Sequence, residues 1–149
     1  MSADEATRVW ARLRAVVLEI HDRRGAVSEA LGMSFIKVKA LRRVAAGPLT
    51  MRELTAQLST DSPYTTLVVD DLVRRGLVVR EPDPDDRRRR IVTATPAGRR
   101  EAARADRLVG EPPPQLRALS AAELAELDRI AGLLTGQAPP GPSTADGPG

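Results

Sequence analysis

At 149 residues the chain has the length of one ordinary domain; 42% hydrophobic and 29% charged residues give a globular composition, and only 2% aromatics make the core aliphatic. Zero cysteines exclude a disulfide scaffold, a cysteine-based zinc site and a thiol switch, and a single histidine leaves little for metal chemistry. The formal charge of +3 is modest, yet between Arg74 and Arg107 eleven arginines stand against six acidic residues, which favours an anionic partner. No run approaches the roughly 18 apolar residues of a membrane helix, and Asp4, Glu5, Arg8, Arg12 and Arg14 stand where a signal peptide needs an apolar block. The expectation is a cytoplasmic protein without membrane contact.

Residues 6–31 read as one helix, since Val9, Leu13, Val16, Val17 and Ile20 recur at three- and four-residue spacing; Gly25 and Gly32 weaken or end it. A second helix fits 34–46, with Ser34 as N-cap and Gly47-Pro48 as the stop. Thr50-Met51-Arg52-Glu53 is a capping box that opens a short helix carrying Leu54 and Leu58. After the polar turn Ser59-Thr60-Asp61, a fourth helix starts near Ser62-Pro63 and runs to Gly76, whose lack of a side chain suits a left-handed stop. The runs "LVVR" and "RRIVTA" around a Pro/Asp-rich turn predict a two-stranded hairpin. Thr95-Pro96 caps a fifth helix to about residue 109, and Ser120-x-x-Glu123 is a second capping box for a last helix with Leu124, Leu127, Ile130 and Leu134 on one side. Residues 136–149 are too poor in apolar groups to fold and are expected to be a disordered tail.

Helices at 51–58 and 62–75, joined by a three-residue polar turn, have the spacing of a helix-turn-helix, whose second member enters the major groove by its N-terminal residues. Those residues are Ser62, Pro63, Tyr64, Thr65 and Thr66. Hydroxyls suit phosphate and permissive base contacts, and a threonine methyl or the tyrosine ring can meet a thymine methyl. A capped helix start with solvent-facing hydroxyls explains the same stretch. Just past the hairpin tip stand Arg87, Arg88, Arg89 and Arg90, which a narrow minor groove would attract. Asp83, Asp85 and Asp86 beside them would repel phosphates, unless one, Asp86 by position, orients a neighbouring arginine. A charge run is also commonly just a solvated loop. Helix-turn-helix, hairpin and arginine tip in succession favour DNA.

From about Met33 to Gly98 the sequence resembles the MarR family of transcriptional regulators, through "PLTMRELTAQL", "SPYTTLVVDDLVRRGLVVR" and "DPDDRRRRIVTATPAG" in that order. The resemblance implies a mainly α fold with a small β-hairpin: a winged helix-turn-helix of six helices, assembled as an intertwined homodimer. It further implies binding to pseudo-palindromic double-stranded DNA, usually as a repressor, and often a pocket for an effector between the dimer and DNA-binding regions. Carried across by position, Ser62, Pro63, Tyr64, Thr65 and Thr66 fall at the recognition-helix start, and Asp86 with Arg88 at the wing's Asp-x-Arg pair, flanked by Arg87 and Arg89. Leu67 departs, because the family commonly has an arginine there.

The chain is thus expected to be a single domain over 1–135, with a winged-helix region at about 33–98 and dimerisation helices at 1–32 and 99–135. The flanking helices are amphipathic, and apolar faces that a winged unit leaves uncovered need a partner; packing within one chain is the alternative. Trp10 serves equally as an interface anchor or as core filling. His21 is expected to face solvent, and Asp70 and Asp71 read as capping and solvation. No phosphate loop, serine elbow or paired-carboxylate constellation is present, so no catalytic residue, metal or cofactor is expected. The function expected is a sequence-specific DNA-binding regulator, to which the family resemblance alone adds release by a small aromatic or apolar effector. The competing reading is a winged-helix interaction module that docks an acidic protein through its arginine tip.

Overall fold

The computed structural model describes residues 2–137. The chain divides into two compact units, Met1–Glu111 and Pro112–Gly149. The first contains α1 (Ser2–Ala15), a π-helical turn (Val16–Ile20), α2 (Arg23–Leu31), α3 (Phe35–Ala46), β1 (Leu49–Thr50), α4 (Met51–Leu58), α5 (Ser62–Arg74), β2 (Val78–Pro82), β3 (Arg90–Ala94) and α6 (Pro96–Val109). The second contains the short α7 (Pro114–Arg117) and α8 (Ala121–Thr135).

Three sequence expectations change, the first being the count: among the described residues eight α-helices stand where six were expected, through the break described next and the short α7. The single helix over 6–31 is interrupted: His21 leaves the helical region, and the Asp22 carboxylate accepts from the Arg24 backbone N–H to start α2 afresh. An acidic N-cap inside a continuing apolar period wins because it satisfies an orphan donor that the unbroken helix would not have. The predicted two-stranded hairpin is a three-stranded antiparallel sheet in the order β1-β3-β2. In its register Leu49 faces Val92 and Val78 faces Ala94, so the start of α4 is stitched to the wing through β1. The tail expected at 136–149 lies outside the described residues beyond Gln137; Gly136 itself is the left-handed cap of α8, at φ 68°.

The core is aliphatic, as the composition requires. Val38, Leu41 and Val44 of α3, Leu54 of α4, Val68, Val69 and Leu72 of α5, Val78 and Val92 of the sheet, and Ala102 and Ala105 of α6 are buried together. Small alanines on α6 let that helix lie close against α3. Gly98 permits the closest approach: a Cβ there would overlap the Leu77 carbonyl oxygen. Thr95 fixes the same corner, donating its N–H to Leu77 O at 3.0 Å and its hydroxyl to Gly76 O at 2.7 Å while accepting from Gly98 N–H. Gly76, at φ 71°, makes the left-handed turn out of α5 that brings this corner together. The Thr-Pro-x-Gly run therefore closes the wing onto α5.

The ends of the first unit's helical layer are tied by polar contacts. Arg23 donates to the Leu108 carbonyl at 2.9 Å and pairs with Glu111 at 2.8 Å. His21, expected in solvent, is half-buried with Nε2 2.7 Å from the Glu111 carbonyl oxygen. By contrast, none of the described side chains of α1 is buried, and Trp10 is 61% exposed, so it does not fill the core. No side chain of α8 is buried either.

Candidate nucleic-acid interface

The turn between α4 and α5 is built from two local devices. Ser59 takes the left-handed conformation at φ 52° and closes α4, and Asp61 caps α5 by accepting from the Tyr64 N–H at 2.8 Å. At the other end of α4 the Thr50–Glu53 capping box is complete, with Glu53 N–H donating to Thr50 Oγ1 at 3.1 Å and Thr50 N–H to the Glu53 carboxylate at 3.4 Å. The cap of α5 leaves Ser62, Pro63, Tyr64 and Thr66 exposed at its first turn. Pro63 costs no hydrogen bond there, since first-turn N–H groups have no partner within the helix.

Thr65 departs from the expected contact set. It is 0% exposed; its hydroxyl bonds Thr55 Oγ1 at 2.9 Å and donates to the Asp61 carbonyl, so it pins α5 to α4 and presents nothing outward. Thr66 also directs its hydroxyl inward along the helix, donating to the Ser62 carbonyl at 3.0 Å. Tyr64 and Leu67 are the apolar groups that α5 leaves outermost on its first two turns, at 43% and 64% exposure.

The wing tip is held by its aspartates. Asp83 is buried; its N–H donates to the Arg89 carbonyl at 2.9 Å, and its carboxylate accepts from the Asp85 N–H. Asp86 accepts from the Arg88 N–H at 3.0 Å and pairs with the Arg89 guanidinium at 3.5 Å. The expected orienting role of Asp86 is thus exerted on the Arg89 side chain, while Arg88 is bound to it through the backbone. Arg87, Arg88, Arg89 and Arg90 are all exposed.

These pieces share one surface. A concavity is lined by Arg52, Ser62, Thr66, Arg80 and Arg90, and a second, sharing Arg52 and Arg90, includes Arg88 and Arg89. Arg80 of β2 pairs with Asp70 of α5 at 2.7 Å, which joins the wing strand to that helix. Asp71, beside it, accepts from Arg74 and Arg75, both at 2.7 Å, and from Lys37 of α3 at 3.1 Å. These three cations, Arg74 foremost, hold its carboxyl well below the usual carboxylate range. Asp70 and Asp71 are therefore ion-paired braces and not merely solvated.

Arg52 and Arg80 were absent from the sequence-derived set. Arg52 lies inside the Thr50–Glu53 capping box, a hint that its side chain stands at a helix mouth, but nothing local to the sequence relates it to Ser62 or Arg90. Among the described residues, Arg52, Arg87, Arg88 and Arg90 form no ion pair, so their charge is available to an anion. A helix-turn-helix whose second helix begins beside an arginine-bearing wing defines the winged helix-turn-helix class.

Comparison with known proteins narrows the class. Residues 31–89 match the MarR family. The uncharacterized HTH-type transcriptional regulator YcgE of Bacillus subtilis (strain 168) is 34% identical over 76 residues, 50% of this chain and 49% of that protein; the chain spans about half the length of this curated relative. A mutant MarR from E. coli is 28% identical with a TM-score of 0.68, over 84% of this chain and 95% of that one. The same mutant complexed with operator DNA is 25% identical with a TM-score of 0.57, over 90% and 98%. Over residues 31–89 the chain matches the MarR family, and its fold is that of MarR-type winged-helix transcriptional regulators.

Proposed function

We propose that this protein is a homodimeric, sequence-specific regulator that binds pseudo-palindromic double-stranded DNA in the cytoplasm, acting as a repressor. The observation that carries the reading is a pair of concavities that share the unpaired Arg52 and Arg90, one holding the exposed start of α5 and the other the unpaired Arg88. Cations flanking a helix start suit a duplex, whose phosphates supply affinity while the groove supplies sequence. Ser62, Tyr64, Arg87 and Arg89 belong to this contact set; Asp86 and Thr65 support it from within, and Pro63 and Thr66 shape the helix start.

Dimerisation is supported by the apolar surface of α1 and its π turn, where Val9, Trp10, Val17 and Ile20 are more than half exposed. α8 likewise exposes Leu133 and Leu134. A second copy would cover such faces by symmetry. In this reading residues 1–135 act as one functional domain with dimerisation helices at 1–32 and 99–135. Release by a small aromatic or apolar effector is part of the same proposal, supported by family likeness, and a thermal-shift screen of small aromatic acids tests it.

Selection of bound duplexes from random DNA is the main test. An inverted repeat is expected, with half-site centres about 34–36 Å apart. Arg88→Ala is expected to weaken binding to selected and unrelated duplexes alike and to lower the salt slope by about one. Recovery of no preferred sequence at moderate salt, together with capture of an acidic protein by the wing, would move the function to protein docking.

A further inference from the structure

α5 offers little that could read bases with directional hydrogen bonds. Its first two turns, Ser62 to Val69, contain no arginine, lysine, asparagine or glutamine. Those side chains make the bidentate contacts to guanine and adenine in the major groove. Thr65 is sealed inside, and Thr66 gives its donor to the Ser62 carbonyl. Arg80, the wing-strand guanidinium that reaches α5, is committed to Asp70. What the helix does present is apolar: Tyr64 and Leu67 are three residues apart, hence on one face, and both are exposed.

We infer that Tyr64 and Leu67 determine sequence specificity by van der Waals contact with the 5-methyl groups of thymine. This rests on the DNA-binding reading above and deepens it. The methyl is the one apolar mark that the major groove displays, and it identifies thymine to a side chain that has no hydrogen-bonding group to offer. The surrounding charge favours a nucleic acid as the occupant: the apolar pair shares its helix start with Ser62 and Thr66, which line the same concavity as the unpaired Arg52 and Arg90. Phosphates on those cations would hold the duplex, leaving discrimination to contacts that need close fit and no charge. Specificity of this kind is graded, because each methyl contributes separately and no buried polar group is orphaned by a mismatch.

The test uses the full-length protein and a duplex selected from random DNA. Each thymine is replaced in turn by deoxyuridine, which removes only the methyl, and affinity is measured at fixed ionic strength. A loss of about fourfold is expected at one or two thymines in each half-site. Leu67→Ala is expected to bind thymine and uracil duplexes equally at one of those positions, and Tyr64→Ala at another. Leu67 is exposed, so its truncation leaves the fold intact, which circular dichroism and urea unfolding of the variant check. Equal affinity for thymine and uracil at every half-site position, with the selected duplex still preferred over random DNA, would overturn the inference while leaving DNA binding in place. A failure to enrich any sequence would overturn both.

Discussion

The winged core and the α1 helix both carry aliphatic faces, and they dispose of them in opposite ways. In the core, Leu41, Leu54, Leu72 and Val92 are fully buried against one another within a single chain. Along α1 and its π turn, residues of the same chemistry stay in contact with water. The difference shows that apolar periodicity marks a surface to be covered without saying by what. Coverage within the chain needs elements that close on it, and here those elements are the sheet and α6.

The contrast can be broken most forcefully at Gly98. Gly98→Ala sets a methyl against the Leu77 carbonyl, and because the obstruction is backbone, a loss of about 4 kcal/mol in urea unfolding is expected; a stability within 1 kcal/mol of the parent would mean that α6 can shift. Leu41→Ala should cost about 3 kcal/mol by the same measurement, through lost transfer energy and a residual cavity.

A smaller effect is expected at Asp71, a brace whose arginine partners are screened by solvent. Asp71→Asn should destabilise the winged unit by about 1 kcal/mol at neutral pH. Because the carboxyl is held below its usual range in the folded state, its contribution is present above about pH 4 and is lost as pH falls further. Stability curves of variant and parent should therefore converge on the acid side. A constant gap down to pH 2 would assign the loss to packing.

The smallest change in core stability is expected from the other side of the comparison. Val17→Asp, at a position 62% exposed, should alter unfolding of the dilute chain by less than about 0.5 kcal/mol. Yet sedimentation at micromolar concentration should show the mass halved relative to the parent. An unchanged mass would remove this face from the proposed dimer.

The parts of the fold legible in the sequence are those specified within a few residues. The Thr50–Glu53 and Ser120–Glu123 boxes, the left-handed Gly76 and the Thr95-Pro96 start are all formed where the local pattern puts them. The break at His21 was hidden because Asp22 caps a new helix inside an uninterrupted apolar rhythm. β1 escaped because two residues carry no periodicity and the partner, Val92, is remote in sequence. At the site, adjacency on one helix could not separate Thr65 from Thr66; burial of the first is decided by Thr55 on another helix. The Arg80–Asp70 pair is likewise set by the angle between a strand and a helix, which no spacing rule encodes.

Because the wing tip is shaped by backbone bonds and by Asp83 and Asp86, its contour does not depend on which side chains occupy positions 87 and 88. Cationic content there is free to vary without remodelling the loop. Grip strength on a polyanion and the architecture that aims it are therefore separately adjustable, and an engineer could dial one without redesigning the other.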